Sequence, residues 1–426
     1  MQRLRPPTSF RGRLLLIAGA ALVLRVAYVA IVRQDLGFGD AYVYWLDAQH
    51  LADGKGFQHP FEDAPTAEHP PLHIVLLAGL NLLGLDGYQE QKVALAFVGS
   101  LTVVLIALLA RDVAGERVGL IAGGLAAVYP NLITADGSLM SETLYLVFVV
   151  AALIVAWRFT RRPDLRGLAL VGALVGLAAL TRGEAIALVP LLILPLAWFR
   201  GPDLRRRVAL ATAGVAAFVV VLTPWTVRNL TVFEEPVLIS SNGNAVFVGA
   251  NCDRTYYGDL IGSWAFSCYG TTPPGDESQR SNAYRERGLE YMRDHLGRLP
   301  LVVAARAGRA LEVYRPGQGV FLQATEGRAA WPARLGIGAF WALLVLAVGA
   351  IVRLGVRRLD HWVLLAPIVM ATITCLTAYG STRLRIAAEP SLVVLAAISL
   401  DALWRGARTR RRPARSAPPP ASAPAG

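Results

Sequence analysis

The chain has 426 residues, of which 54% are hydrophobic and only 17% charged, and its formal net charge is +12. Soluble domains average roughly 25% charged residues, and apolar stretches near the ~20 residues that cross a bilayer as helix recur along the chain, so a soluble protein is excluded and an all-α polytopic membrane protein is indicated. The excess base does not read as a nucleic-acid surface: only Lys55 and Lys92 are lysines among 42 basic residues, and the arginines flank apolar segments, as on the cytoplasmic side of membrane spans.

The first segment, 1–13, carries Arg3, Arg5, Arg11 and Arg13 and leads into an apolar run at 14–32, long enough to span and read as an uncleaved first helix. The next stretch, 33–90, is acidic, with Asp40, Asp47, Asp53, Glu62, Asp63, Glu68, Asp86 and Glu90. In it Asp40 precedes a stretch of helical spacing bearing Tyr44 and Trp45, aromatics suited to the headgroup region. Further on, Glu68-His69-Pro70-Pro71 opens the apolar segment 72–85. At 14 residues this segment is short for a span and is expected to lie at the interface or re-enter.

Later spans are expected near 91–110, 118–135, 141–157, 167–181, 184–199, 208–227, 333–352, 361–379 and 387–404. With 72–85 not crossing, 23 arginines fall on the inner side: the N-terminal four, Arg111, Arg117, Arg158, Arg161, Arg162, Arg166, Arg200, Arg205, Arg206, Arg207, Arg353, Arg357, Arg358 and the six of the tail. The short outer segments then hold only Arg33, Lys55, Arg182, Arg383 and Arg385. This bias gives ten spans, both termini cytoplasmic, and two large outer elements, 33–90 and 228–332.

The second outer element has loop character to about 274, then amphipathic helical patterns at 281–295 and 299–314. It contains Cys252 and Cys268, which an oxidising compartment would allow to pair as a disulfide. Cys375 falls in an apolar segment and reads as a core residue. The C-terminal spans occupy 333–404, and the tail 405–426 is basic, then Pro/Ala/Ser-rich, a disordered composition. The arginine bias suggests a GC-rich bacterial genome, hence a plasma-membrane location.

The cytoplasmic loops are too short to fold a nucleotide-binding domain, and neither a P-loop nor a dinucleotide fingerprint is present. A substrate handled on the outer face must therefore arrive activated, for instance on a lipid. Asp40 and Glu142 are the acidic candidates there, although each could simply cap a helix, Glu142 beside Ser141 as N-cap. An ionisable group at the mouth of a span is costly, which favours a function for Glu142. Arg182, Arg383 and Arg385 stand outside against the trend, and a phosphate would explain them. Arg25, within the first span, is expected to pair with an acid on a neighbouring helix.

Together these pieces resemble the GT-C membrane glycosyltransferases, in particular glycosyltransferase family 39, the protein O-mannosyltransferases and lipid A aminoarabinose transferases. The resemblance rests on the order Asp40, Glu68-His69-Pro70-Pro71, Glu142, Arg182-Gly183, Pro224-Trp225 with Arg228-Asn229, and Arg383-Leu384-Arg385 followed by Pro390. It runs over about 14–235 and again near 380–400, and His69 departs from the lysine of the aminoarabinose enzymes.

The resemblance implies a GT-C-type bundle with its catalytic module in 14–227. It also implies inverting transfer of a sugar from a polyprenyl-phosphate donor to an acceptor hydroxyl of a glycan, lipid or protein on the extracytoplasmic face. Asp40 would be the general base, with Glu142 orienting the acceptor or a basic residue. Arg182, Arg383, Arg385, Arg228 and His69 would meet the donor phosphate. Glu68 with His69 could hold a divalent metal ion, though two ligands are too few to define one. The alternative is a transporter or flippase of lipid-linked glycans, for which paired repeats and broken central helices would be expected; the sequence has no evident repeat.

Overall fold

The computed structural model describes residues 9–32, 35–36, 39–354 and 359–410. The expected basic segment ahead of residue 9 and the tail beyond 410 lie outside the described residues. The described chain is helical, with a single isolated bridge between Gln58 and Pro65.

Helix α1 (Phe10–Val32) is followed by α2 (Asp40–Ala52) and α3 (Pro71–Leu82). Then come α4 (Tyr88–Ala114), α5 (Glu116–Val128), α6 (Pro130–Asp136), α7 (Glu142–Arg161) and α8 (Leu165–Ala179). The segment Gly183–Arg200 starts as a 3-10 turn, passes through a π turn and ends as α9 (Leu194–Arg200). Pro190 and Pro195 interrupt its hydrogen-bond ladder, which accounts for the irregular winding. After α10 (Leu204–Val232) the second large loop folds as α11 (Asn242–Gly249), α12 (Asp253–Tyr256), α13 (Glu277–Asp294), α14 (Leu299–Ala310) and α15 (Pro316–Thr325). The chain closes with α16 (Ala330–Leu354), α17 (Leu359–Thr377), α18 (Thr382–Arg385) and α19 (Glu389–Arg410).

Among the described residues, eight helical segments are long and apolar enough to cross a membrane, nine if the bent pair α5–α6 counts as one span. This makes a multi-pass architecture. Two of the ten expected spans differ in form. The one at 118–135 is broken by 58° between α5 and α6. Pro130 has no N–H to give the Ala126 carbonyl, and Arg25 of α1 supplies donors there instead, to Ala127 (3.2 Å) and Ala126 (3.5 Å). Its Nε meets Asp136 at 2.6 Å, the acid expected on a neighbouring helix. The one at 167–181 is α8, whose 15 residues rise only ~22 Å. It compensates by packing backbone to backbone: a Cβ on Gly172 would come within 1.9 Å of the Gly214 carbonyl of α10.

The bundle has two chemically distinct ends, most clearly on α7, which starts at Glu142 and finishes at Arg158 and Arg161. At the arginine end Asp112 pairs with Arg158 (2.7 Å), and Asp401 pairs with Arg117 (2.9 Å) and Arg405 (2.7 Å). The expected loop to about 274 contains α11 and α12, too short to leave a helical period in the sequence. Cys252 and Cys268 are joined there by a disulfide with Cα atoms 5.9 Å apart.

Candidate active site

Opposite the arginine end, five separate segments bring charge together around Arg383. Its Nε donates to Glu142 (2.7 Å), one terminal nitrogen to Asp40 (2.6 Å) and the other to Glu326 (3.2 Å). Arg182 also reaches Glu142 (2.9 Å) and holds Glu184 (2.5 Å). Arg328 lies 3.5 Å from the same Glu142 oxygen. His69 stands 3.7 Å from Asp40, an ion pair rather than a hydrogen bond.

Local sequence explains each placement. Asp40 follows Gly39, the N-cap of α2, and therefore sits in the first turn with its carboxylate aimed at Arg383. On the same face of α2, Tyr44 packs its ring 4.5 Å from His69 and donates its hydroxyl to Ser141 (3.2 Å). Ser141 makes no capping bond with its side chain, so neither acid is explained as part of a helix cap. Just before it, Leu139 takes the left-handed conformation at φ 58° while fully buried. Such a leucine costs ~1–3 kcal/mol and is held here by His73, which donates to its carbonyl (3.2 Å). The strained turn directs Glu142 inward. Gly327, at φ +81°, makes the turn that lets Glu326 and Arg328 both face the cluster.

The cluster walls a cavity of about 270 Å³ whose lining includes Asp40, Tyr44, His69, Arg182, Tyr379 and Arg383. A smaller chamber of about 160 Å³ lies on the other side of Asp40 and Tyr379, bounded by α15 and Glu312. Burial opposes ionisation of Asp40, but the Arg383 charge, then His69, outweigh it and hold the carboxyl well below the usual range. Burial likewise opposes a charged His69, yet the Asp40 and Glu68 carboxylates push it up to about 9. Burial pushes Glu68 up, with His69 opposing, and pushes Asp47 up to about 7. At neutral pH the cavity thus presents an ionised Asp40 between two cations.

Not every expected residue belongs to this cluster. Arg385, two residues from Arg383, turns into a second buried network with Glu389 (2.9 Å), Glu312 (3.2 Å) and the Ala310 carbonyl, its guanidinium stacked on Phe340. Arg228 donates to the carbonyls of Thr66 (2.8 Å) and Phe57 (3.0 Å) and packs over Trp225, which makes it a clamp on the acidic loop. Glu68 and His69 gain no third ligand: among the described residues no three His, Cys, Asp or Glu side chains converge on a metal position. The sequence reading missed Glu326 and Arg328, charges in a polar loop with no hydropathy contrast to mark them.

The described residues form an all-helical, multi-pass bundle with an arginine–carboxylate cavity at one end, and comparison with solved structures gives it a GT-C-type fold. Residues 68–226 match the family model described as dolichyl-phosphate-mannose-protein mannosyltransferase. The fold is similar to the oligosaccharyltransferase of Archaeoglobus fulgidus in its apo form, at 17% identity and TM-score 0.58, over 94% of this chain and 51% of that one. It is also similar to AglB from Archaeoglobus fulgidus in complex with an inhibitory peptide and a dolichol-phosphate, at 16% identity and TM-score 0.55, over 95% of this chain and 52% of that one. ArnT from Cupriavidus metallidurans bound to undecaprenyl phosphate shares 19% identity over 92% of this chain and 79% of that one, at TM-score 0.44. The chain thus spans about half the length of the oligosaccharyltransferases it matches. No curated protein sequence matches it. The resemblance to GT-C membrane glycosyltransferases is present in sequence over residues 68–226 and in the fold.

Proposed function

We propose that this protein is an inverting glycosyltransferase that moves a sugar from a polyprenyl-phosphate donor to an acceptor hydroxyl on the extracytoplasmic face. The observation that carries the reading is Arg383 bridging Asp40 and Glu142 on the wall of a cavity that also displays Arg182 and His69. An ionised carboxylate beside fixed cations is what a displacement with a phosphate leaving group requires. The family match over 68–226 and the dolichol-phosphate held by AglB support a lipid-linked donor. The extracytoplasmic side is supported by the arginine bias and by the Cys252–Cys268 disulfide, which needs an oxidising compartment.

In this mechanism the acceptor oxygen attacks the anomeric carbon, its proton passes to Asp40, and the bond from that carbon to the phosphate oxygen breaks. The released polyprenyl phosphate carries away the negative charge. Arg182 and the cationic His69 receive the phosphate. Arg383 holds Asp40 and Glu142 in register. Its charge makes resting Asp40 a weak base. A phosphate arriving beside Arg182 and His69 offsets that charge and strengthens Asp40 as the sugar is bound.

The test is release of free polyprenyl phosphate from a panel of polyprenyl-phosphate sugars, with total envelope material as acceptor. Wild type should release it, and Asp40→Asn should be slower by roughly 10²–10⁴-fold, the usual contribution of a positioned base. Equal release from both would remove Asp40 from catalysis. Tight lipid binding without release from either would favour a flippase.

A further inference from the structure

We propose that the cavity beneath α11 and α13 is a binding site for an uncharged, hydroxyl-rich saccharide, which serves as the acceptor; its role as acceptor rests on the transferase reading above. The cavity measures about 260 Å³, just below the usual range of small-molecule sites (roughly 300–1,000 Å³), room for a single saccharide unit. One side is aromatic: Phe266 and Tyr269 lie 4.9 Å apart between ring centres, and Tyr269 and Tyr284 5.3 Å. Phe266 is 72% exposed although apolar, and Tyr269 and Tyr284 are half-buried. Flat apolar faces of this kind suit the C–H face of a sugar ring. The other side carries Glu68, Asn242, Ser241 and Ser281, groups that accept from and donate to hydroxyls.

The pocket is held in shape before any ligand arrives. The disulfide closes the loop between Phe266 and α12, and Arg287 donates to the Tyr269 carbonyl. Glu277 forms the floor, accepting from Thr66 (2.6 Å), the Ala67 amide (2.9 Å) and Ser241 (2.7 Å). Glu68 and Asn242 line this cavity and the Asp40 cavity alike, so the two adjoin at these side chains. Among the described residues no hydrogen bond reaches the Glu68 carboxylate, which is free to take a ligand hydroxyl and present it toward Asp40.

The composition also disfavours competitors. An anionic ligand would face Glu62, Glu68 and Glu277, and of the basic groups in the lining, Arg280 and His59, the arginine is held by Glu62 in two contacts of 2.9 and 3.1 Å. The described residues lining the cavity are helix, turn and loop, so they offer a peptide no strand to pair with.

Saturation-transfer NMR on the purified full chain, in a detergent without a sugar headgroup, tests this without requiring turnover. The probes are trehalose and maltotriose, with glucose 1-phosphate as the anionic counterpart and a Ser/Thr-rich peptide as the alternative acceptor. Transfer to the neutral saccharides is expected. It should fall about tenfold or more in both Phe266→Ala and Tyr284→Ala, and persist in Asp40→Asn. Phe266→Ala removes an exposed ring and leaves the core intact, so its loss of signal cannot be ascribed to unfolding. No transfer to the neutral saccharides, stronger transfer to glucose 1-phosphate or to the peptide, or indifference to both aromatic variants would overturn the proposal. Because binding is read directly, a protein that binds the saccharides but releases no polyprenyl phosphate would sink the transferase reading and leave the saccharide site standing.

Discussion

Two arginines separated by one leucine, Arg383 and Arg385, organise two buried charge networks with opposite characters. Arg383 joins acids from α2, α7 and the end of the second large loop, and one of them, Asp40, keeps 31% of its side chain exposed toward a cavity. Arg385 joins Glu312 and Glu389, whose side chains are 5% and 0% exposed, and Tyr129 closes the far side by donating to Glu389 (2.6 Å). The first network faces the larger cavity with a carboxylate that a substrate can reach. The second touches only the smaller chamber, through the nearly buried Glu312, and ties α14, α18 and α19 together. Similar chemistry thus serves as a site where a carboxylate stays exposed to a cavity and as a fastening where the carboxylates are almost fully enclosed.

The largest test of that difference exchanges each arginine for methionine. Arg383→Met should cost activity first, roughly 10²-fold in turnover, the scale of letting positioned catalytic groups drift out of register. Its carboxylates are partly protected, since Glu142 retains Arg182 and Arg328 and Asp40 can hydrate. Arg385→Met should cost stability first, about 3–5 kcal/mol, because it strands Glu312 and Glu389 without a cation. Thermal unfolding in detergent and polyprenyl phosphate release, measured on both variants, separate the two. Matching losses of stability would end the distinction.

The next test is pH. The folded-state pKa of His69 is raised to about 9, above the ~6.5 of an unperturbed imidazole. The stability it contributes is therefore fully present below pH ~6.5 and fades as pH rises through about 9, by up to about 3 kcal/mol. Thermal unfolding from pH 6 to 10 should show this decline in wild type and a flatter profile in His69→Gln. Donor affinity should weaken over the same upper range as the cation disappears. A similar slope in His69→Gln would mean that the decline arises elsewhere.

The sequence carried the spans and the acids at their mouths well, because hydropathy is a sum over many residues and a charge beside it is conspicuous. Asp40, Glu142 and Arg182 stood out for that reason and meet around Arg383. What the sequence could not express was direction. Arg383 and Arg385 differ by the turn of a four-residue helix, and the choice of partners depends on Glu312, Glu326 and Arg328, all far away in the chain. Those three were hidden because polar residues in a polar loop carry no contrast. The break at Pro130 was equally invisible to an apolar count, which sees one continuous span at 118–135.

The smallest test concerns Arg228, which belongs to neither network. Its sequence context, next to Asn229 at the end of an apolar segment, made it a phosphate candidate, yet its nitrogens go to the Thr66 and Phe57 carbonyls and its plane to Trp225, Phe57 and Phe233. Arg228→Lys keeps the charge but loses the planar fork, and should cost about 1–2 kcal/mol of stability. A phosphate ligand would respond differently: replacing a fork by a point charge there would raise the donor KM while leaving unfolding nearly unchanged. Measuring both on one preparation decides between them. A lower unfolding temperature with the donor KM held marks Arg228 as the clamp that keeps Glu68 and His69 at the cavity, while the reverse pattern would extend the donor site to the end of α10.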